Sequence, residues 1–329
     1  MKKYTLGFDI GGTKCALILG KSEFSDENTK GVIVDKIRFD TVQSRGWKTI
    51  VDELLSSAES ILERNNVAAS EVVACGISCG GPLDSKKGLI MCPPNLPDWD
   101  NVPIVEITEN RLGIKTKLQN DANACALAEW RFGAGKGTNN MIFLTFGTGM
   151  GAGLILDGRL YSGTNDMAGE VGHMRLAENG PLGYGKKGSF EGFCSGGGIA
   201  NLAKQIVLNK LSLGIIPSFC KTESELDNVT AKSVAQAAFA GDVTALEIYN
   251  VCGEYLGRGL ALLIDILNPE VIVIGSIYQR SSALLQHKMQ EVINSEALTL
   301  SASVCEIRPA VLGDSIGDFA ALGVALMNE

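Results

Sequence analysis

Asp9-Ile10-Gly11-Gly12-Thr13-Lys14, with Tyr4-Thr5-Leu6-Gly7-Phe8 before it and Cys15-Ala16-Leu17-Ile18-Leu19 after it, reads as two β-strands joined by a glycine turn. Glycines at such a corner leave backbone N–H groups uncovered and let an anion's oxygens approach without meeting a Cβ. One such turn also suits any tight hairpin. This chain has a second: Gly147-Thr148-Gly149-Met150-Gly151-Ala152-Gly153 lies between Met141-Ile142-Phe143-Leu144-Thr145-Phe146 and Leu154-Ile155-Leu156. Two matched copies point to phosphate. The first copy adds an acid (Asp9), a hydroxyl (Thr13) and a cation (Lys14), the set wanted around a nucleotide phosphate and its metal ion.

Outward from the first turn, strands at 4–19 and 32–39 give way to an amphipathic helix at 47–64 and a strand at 72–78. A helix at 104–112, a strand at 115–118 and a helix at 122–132 follow, the alternation of a partly parallel sheet covered by helices. At Met141 the strand-rich pattern restarts, which predicts a duplicated α/β fold with two similar halves facing a cleft. The boundary is expected near Asn120, giving an N-terminal domain 1–119 and a C-terminal domain 120–314. Residues 180–192 read as a glycine- and lysine-rich loop, and 198–211, 231–240 and 243–267 as helices. Asn268-Pro269 stops the last of these before a buried strand at 271–275. A final helix within 315–329, apolar on one face, is expected to pack back on the first half.

With 329 residues, 45% hydrophobic and 20% charged, the chain can bury two domain cores. A net charge of −8 without a basic stripe argues against nucleic acid as a partner. Apolar stretches are broken well short of the ~20 residues a membrane helix needs, so no membrane association is expected. Nine cysteines, an odd number without paired spacing, fit reduced residues of a cytoplasmic protein.

The order of Gly80-Gly81-Pro82-Leu83-Asp84, Pro94-Asn95-Leu96, Asn120-Asp121-Ala122-Asn123, the run 144–174 ending in Gly169-Glu170-Val171-Gly172-His173-Met174, and Asn268-Pro269-Glu270-Val271-Ile272-Val273-Ile274-Gly275 resembles the ROK family. That family of repressors, open reading frames and sugar kinases lies in the actin/hexokinase-like superfamily, and the likeness covers nearly the whole chain. It implies two actin-like (ribonuclease-H-like) α/β domains, ATP and Mg²⁺ as cofactors, and transfer of a phosphoryl group to a hexose. Glucose at its 6-hydroxyl is the expected acceptor, with fructose or an N-acetylhexosamine as alternatives. A homodimer is common among similar proteins. A sugar-responsive regulator without kinase activity is the alternative of another class. A repressor needs a DNA-binding head before the first phosphate strand, and only three residues precede Tyr4.

A sugar hydroxyl is a poor nucleophile, so phosphoryl transfer wants a carboxylate positioned as general base. Asp121, where a strand ends and a helix begins, is the candidate, although Asp and Asn also fill such positions as helix caps. The resemblance implies that Asn120 and Asp121 hold the sugar and that Asp121 takes the proton. It assigns Glu170, His173 and Glu191 to the sugar as well, with Asn95 as a further contact. The resemblance implies that Asp9 sits near Mg²⁺, through water, because this ion keeps several waters. Gly11, Gly12, Thr13 and Lys14 are expected to face the nucleotide phosphates from the first half, and Gly147, Thr148, Gly149 and Gly151 from the second. Gly275 fits the adenosine end, although Ser276 stands where a second glycine is common.

Relatives with a structural zinc carry three cysteines between the histidine and the last glutamate. Here Gly180-Pro181-Leu182-Gly183-Tyr184-Gly185-Lys186-Lys187-Gly188-Ser189 has none. A tetrahedral zinc needs four N or S ligands, so no structural zinc is expected and other contacts must hold the loop.

Overall fold

The computed structural model describes residues 3–21 and 32–327. Residues 328–329 of the expected last helix lie outside the described residues, as do 1–2 and 22–31 of the expected first domain. The chain opens with strands β1 (Tyr4–Ile10), β2 (Lys14–Lys21) and β3 (Ile33–Asp40), then helix α1 (Gly46–Arg64) and strand β4 (Val72–Cys79). Two short strands, β5 (Leu83–Asp84) and β6 (Leu89–Ile90), precede α2 (Ile104–Leu112), β7 (Thr116–Asn120) and α3 (Asp121–Phe132). Next come β8 (Met141–Leu144), β9 (Ala152–Leu156) and β10 (Arg159–Tyr161), followed by β11 (Leu182–Gly183) and β12 (Lys186–Lys187). Helices α4 (Phe190–Phe193), α5 (Gly196–Ser212), α6 (Ala231–Phe239) and α7 (Val243–Leu267) lead to β13 (Val271–Ile274). The chain closes with α8 (Ile277–Glu296), α9 (Thr299–Ala302), β14 (Glu306–Pro309) and α10 (Ile316–Ala325).

Two five-stranded sheets result, ordered β3-β2-β1-β4-β7 and β10-β9-β8-β13-β14. Counted within each sheet, both orders are 3-2-1-4-5, so the duplication read from the two glycine turns is present in the topology. In the first sheet β1, β4 and β7 are parallel, while β2 is antiparallel to β1 and to β3. β4 and β8 are near-continuous apolar runs, as strands covered on both faces must be, whereas the edge strand β3 alternates between half-buried and exposed residues. α1 meets the first sheet with Ile50, Val51, Leu54, Leu55, Ala58, Ile61 and Leu62, an apolar stripe at helical spacing.

By compactness the chain divides into one unit of residues 1–137, 153–168 and 311–329, and another of 138–152 and 169–310. The expected boundary near Asn120 falls between β7 and α3, both in the first unit. α3 stays there because it packs on α10 and on Gly153, where an added Cβ would stand 2.5 Å from that of Ala126. α10 lies directly on the sheet backbone: a Cβ on Gly76 would come within 2.2 Å of Ala321 O and Ala325 N. Held between strands and α3, α10 is buried at every residue from Asp318 to Ala325, rather than on one face only.

The expected loop at 180–192 is structured. β11 and β12 form a hairpin, and Ser189 caps α4 by accepting a hydrogen bond from Gly192 N. Among the described residues, no helix is long and apolar enough to cross a membrane.

Candidate functional site

In the first unit, strand register gathers the predicted residues at one end of the sheet. Ile10 stands opposite Cys79 and Cys79 opposite Asn120, so Asp9, Gly11 and the Asn120-Asp121 step share the carboxyl edge of three parallel strands. In open α/β sheets that edge is where ligands bind. Gly11 N donates to Lys14 O at 3.0 Å, closing the turn, and Thr41 Oγ1 donates to Gly11 O at 2.7 Å. Gly12 is obligatory for packing, since a Cβ there would stand 2.4 Å from Asn95 O. Gln43 Nε2 ties the two segments by donating to Asn95 O at 2.9 Å and to Gly12 O at 3.3 Å. Asn95 therefore sits against the first glycine turn, although 83 residues separate it from Gly12 in the chain. Thr13 and Lys14 are exposed beside it.

Asn120 is the N-cap of α3: its Oδ1 accepts from Asn123 N at 2.8 Å. The capping task thus falls to Asn120, leaving Asp121 as the first helical residue with an exposed side chain whose Oδ1 accepts from Ala122 N at 2.8 Å. Protein crowded around it raises the Asp121 carboxyl above its ordinary range, against the lowering effect of that hydrogen bond. Asp9 is pushed up to about 6, foremost by burial, then by the negative charge of Asp318; Lys36 pulls the other way and Asp121 adds to the rise. Asp318 reaches this cluster from the first turn of α10 and pairs with Lys36 at 2.5 Å. The thiols of Cys79 and Cys125, raised by burial and by Asp121 and Asp9, stay protonated and offer no nucleophile.

In the second unit, Gly147 N donates to Gly149 O at 2.9 Å, while Thr145 N donates to Gly151 O and Gly151 N to Thr145 Oγ1, both at 3.0 Å. This turn meets the predicted sugar residues directly. Glu191 Oε2 accepts from Met150 N at 3.0 Å, and a Cβ on Gly172 would stand 2.2 Å from Met150 O. The Glu170–His173 segment and Glu191 are thereby brought against the second glycine turn. Gly275 N donates to Leu144 O at 2.9 Å, placing Gly275 at the carboxyl end of β13 beside that of β8. Ser276 has a positive φ of 52° and ψ of −104°, and its hydroxyl does not cap α8.

The loop without cysteines is held by several bonds. Leu176 N donates to Gly188 O at 2.8 Å, Arg175 Nη1 to Lys187 O at 2.8 Å, and Lys186 Nζ to His173 O at 2.6 Å. Among the described residues, no group of three or more His, Cys, Asp or Glu is arranged to hold a metal ion.

Sequence reasoning missed Gln43, Lys36 and Asp318, which reach the first turn only through tertiary packing. It also missed the start of α5, where Gly196 N donates to Gly147 O at 2.8 Å and Ser195 caps the helix. The run Ser195-Gly196-Gly197-Gly198 was the available signal, a cap followed by residues without side chains beside the second glycine turn.

Two sheets of one strand order, each with a glycine turn at the carboxyl end of its strands, define a duplicated α/β protein of the actin/hexokinase-like class. Within that class the chain belongs to the ROK family, whose model matches residues 5–328. It is 31% identical over 319 residues to the glucokinase of Halalkalibacterium halodurans, covering 96% of this chain and 92% of that protein. With the glucokinase of Thermotoga maritima it shares 30% identity over 320 residues, 97% of this chain and 96% of that one. The crystal structure of a ROK family glucokinase from Streptomyces griseus in complex with glucose and AMPPNP superposes with a TM-score of 0.71 at 28% identity, covering 98% of this chain and 99% of that chain.

Proposed function

We propose that this protein is an ATP-dependent hexose kinase that transfers the γ-phosphoryl group to the 6-hydroxyl of glucose. The observation that carries this reading is the position of Asp121. Its carboxylate is solvent-accessible, freed from capping by Asn120, and lies at the same strand edge as Asp9 and the first glycine turn. The likeness to two glucokinases along nearly their full lengths supports the choice of reaction and of glucose.

In this reading Asp121 accepts the proton of the sugar hydroxyl as the hydroxyl oxygen bonds to the γ-phosphorus, while the bond from that phosphorus to the β–γ bridging oxygen breaks and ADP leaves with its electron pair. Asn120, Glu170, His173 and Glu191 hold the sugar hydroxyls, and Asn95 adds a contact. Gly11, Gly12, Thr13 and Lys14, with Gly147, Thr148, Gly149 and Gly151, face the phosphates, and Gly275 the adenosine end. Positioning and electrostatics dominate phosphoryl transfer, and the base adds about 10²–10⁴-fold. The chemistry around Asp9 suits Mg²⁺: burial first, and then the negative charge of Asp318, raise the proton affinity of Asp9, which a divalent cation would relieve. Bound through water to Asp9, the ion would supply neutralising charge at the phosphates. A homodimer in the cytoplasm completes the proposal, with light scattering as the check on assembly.

The test is ADP release coupled to a panel of glucose, fructose, mannose and N-acetylated hexosamines. Glucose is expected to give the highest kcat/KM. Release with no sugar in the panel contradicts the kinase reading and leaves a sugar-responsive regulator.

A further inference from the structure

The hairpin β11–β12 is joined by Tyr184-Gly185, with Gly183 opposite Lys186 in register. Both turn residues have positive φ, 42° and 76°, the requirement of a two-residue type I′ connection. Asn, Asp or Gly would fill the first position without difficulty; tyrosine carries strain there, and such strain persists where the residue serves a function. Burial does not account for it, because Tyr184 is 76% exposed. The contact its ring makes is with His173, at 5.1 Å between centroids and 79° between planes, the edge-to-face geometry that aromatic rings favour. Two residues on, Lys186 fixes the backbone of the same histidine through its carbonyl, and Arg175 fastens the far strand through Lys187 O. The hairpin thus grips His173 by ring and by backbone.

We infer that Tyr184 is a positioning residue for the acceptor sugar: it sets the plane of the His173 imidazole and presents an exposed aromatic face beside it. The inference rests on the sugar-kinase reading of His173. An aromatic face carries partial negative charge and suits the C–H face of a pyranose ring. The chemical class recognised is accordingly a hexopyranose rather than an open-chain polyol.

The experiment compares the full-length protein with Tyr184→Ala and Tyr184→Phe in steady-state kinetics, varying sugar and ATP separately. An aromatic pair is worth about 0.5–1.5 kcal/mol, which converts to a rise of roughly two- to tenfold in the sugar KM for Tyr184→Ala. The KM for ATP is expected to stay within twofold and Tyr184→Phe to match the parent, with both variants still giving a cooperative melting curve. An unaltered sugar KM in Tyr184→Ala, or an equal rise for ATP, overturns the inference. NMR supplies a readout that does not need turnover. The chain has two histidines, so a His287→Gln background leaves one imidazole to observe. Loss of the Tyr184 ring is expected to shift the His173 ring resonances; unshifted resonances overturn the inference. Absence of sugar-dependent ADP release by the parent protein refutes the kinase reading instead.

Discussion

Replacing Glu129 by alanine is expected to cost the first unit about 3–5 kcal/mol. Glu129 is fully buried on α3, and its carboxylate joins two distant segments of that unit. Oε1 accepts from Val311 N and Leu312 N, both at 3.0 Å, and Oε2 accepts from Ala134 N at 2.8 Å. Alanine leaves three N–H groups without that acceptor, at about 1–3 kcal/mol each, offset in part by removal of a buried charge. Glu129→Gln keeps the shape but must turn an amide N–H toward at least one backbone N–H, for a loss of about 2 kcal/mol. The expected order of stability is parent, glutamine, alanine. Trp47, Trp99 and Trp130, the chain's three tryptophans, all lie in the first unit, so their fluorescence during urea unfolding reports on that unit. An alanine variant within about 1 kcal/mol of the parent would refute the claim that this carboxylate organises the approach to α10.

Asp9→Asn is expected to trade activity for stability. The folded pKa of Asp9 lies at about 6 against an ordinary 3.8, so its contribution to stability is present below pH 4 and is lost as pH rises through 6. Two pKa units correspond to roughly 3 kcal/mol; urea midpoints from pH 3.5 to 8 should therefore show the variant more stable near pH 7.5, the gap closing near pH 4, and coupled assays should show turnover lost. Glu191→Ala removes the acceptor of Met150 N and loosens the second glycine turn. Both the sugar and the ATP KM are expected to rise by tenfold or more, a charge-assisted hydrogen bond being worth about 1.5–3 kcal/mol, which separates this residue from Tyr184, where only the sugar KM moves.

Long elements with strong punctuation were legible from sequence. α7 spans Val243–Leu267 as read, because its apolar periodicity is uninterrupted and Asn268 ends it in the left-handed conformation ahead of Pro269. The duplication was legible because both glycine turns sit between apolar strands. The β11–β12 hairpin was not: strands of two residues have no period, and its turn places a tyrosine where glycine or asparagine is usual. Nor was the full burial of α10 legible, since what covers its second face, α3, is set by tertiary packing. Asp318, Gln43 and Glu129 gain their roles from segments remote in sequence, and no local pattern marks them. The resemblance to the family marks polar positions without their local bonding. What the fold adds is that Asn120 caps α3 while Asp121 remains accessible, and that Glu191 leans on the second turn.

Single-turnover transfer of the γ-phosphoryl group from ATP to glucose, parent against Asp121→Asn with glucose binding measured in parallel, tests the central claim most directly. A fall of about 10²–10⁴-fold or more in rate is expected, with glucose still bound. Transfer within tenfold of the parent would contradict it and remove Asp121 from the role of base.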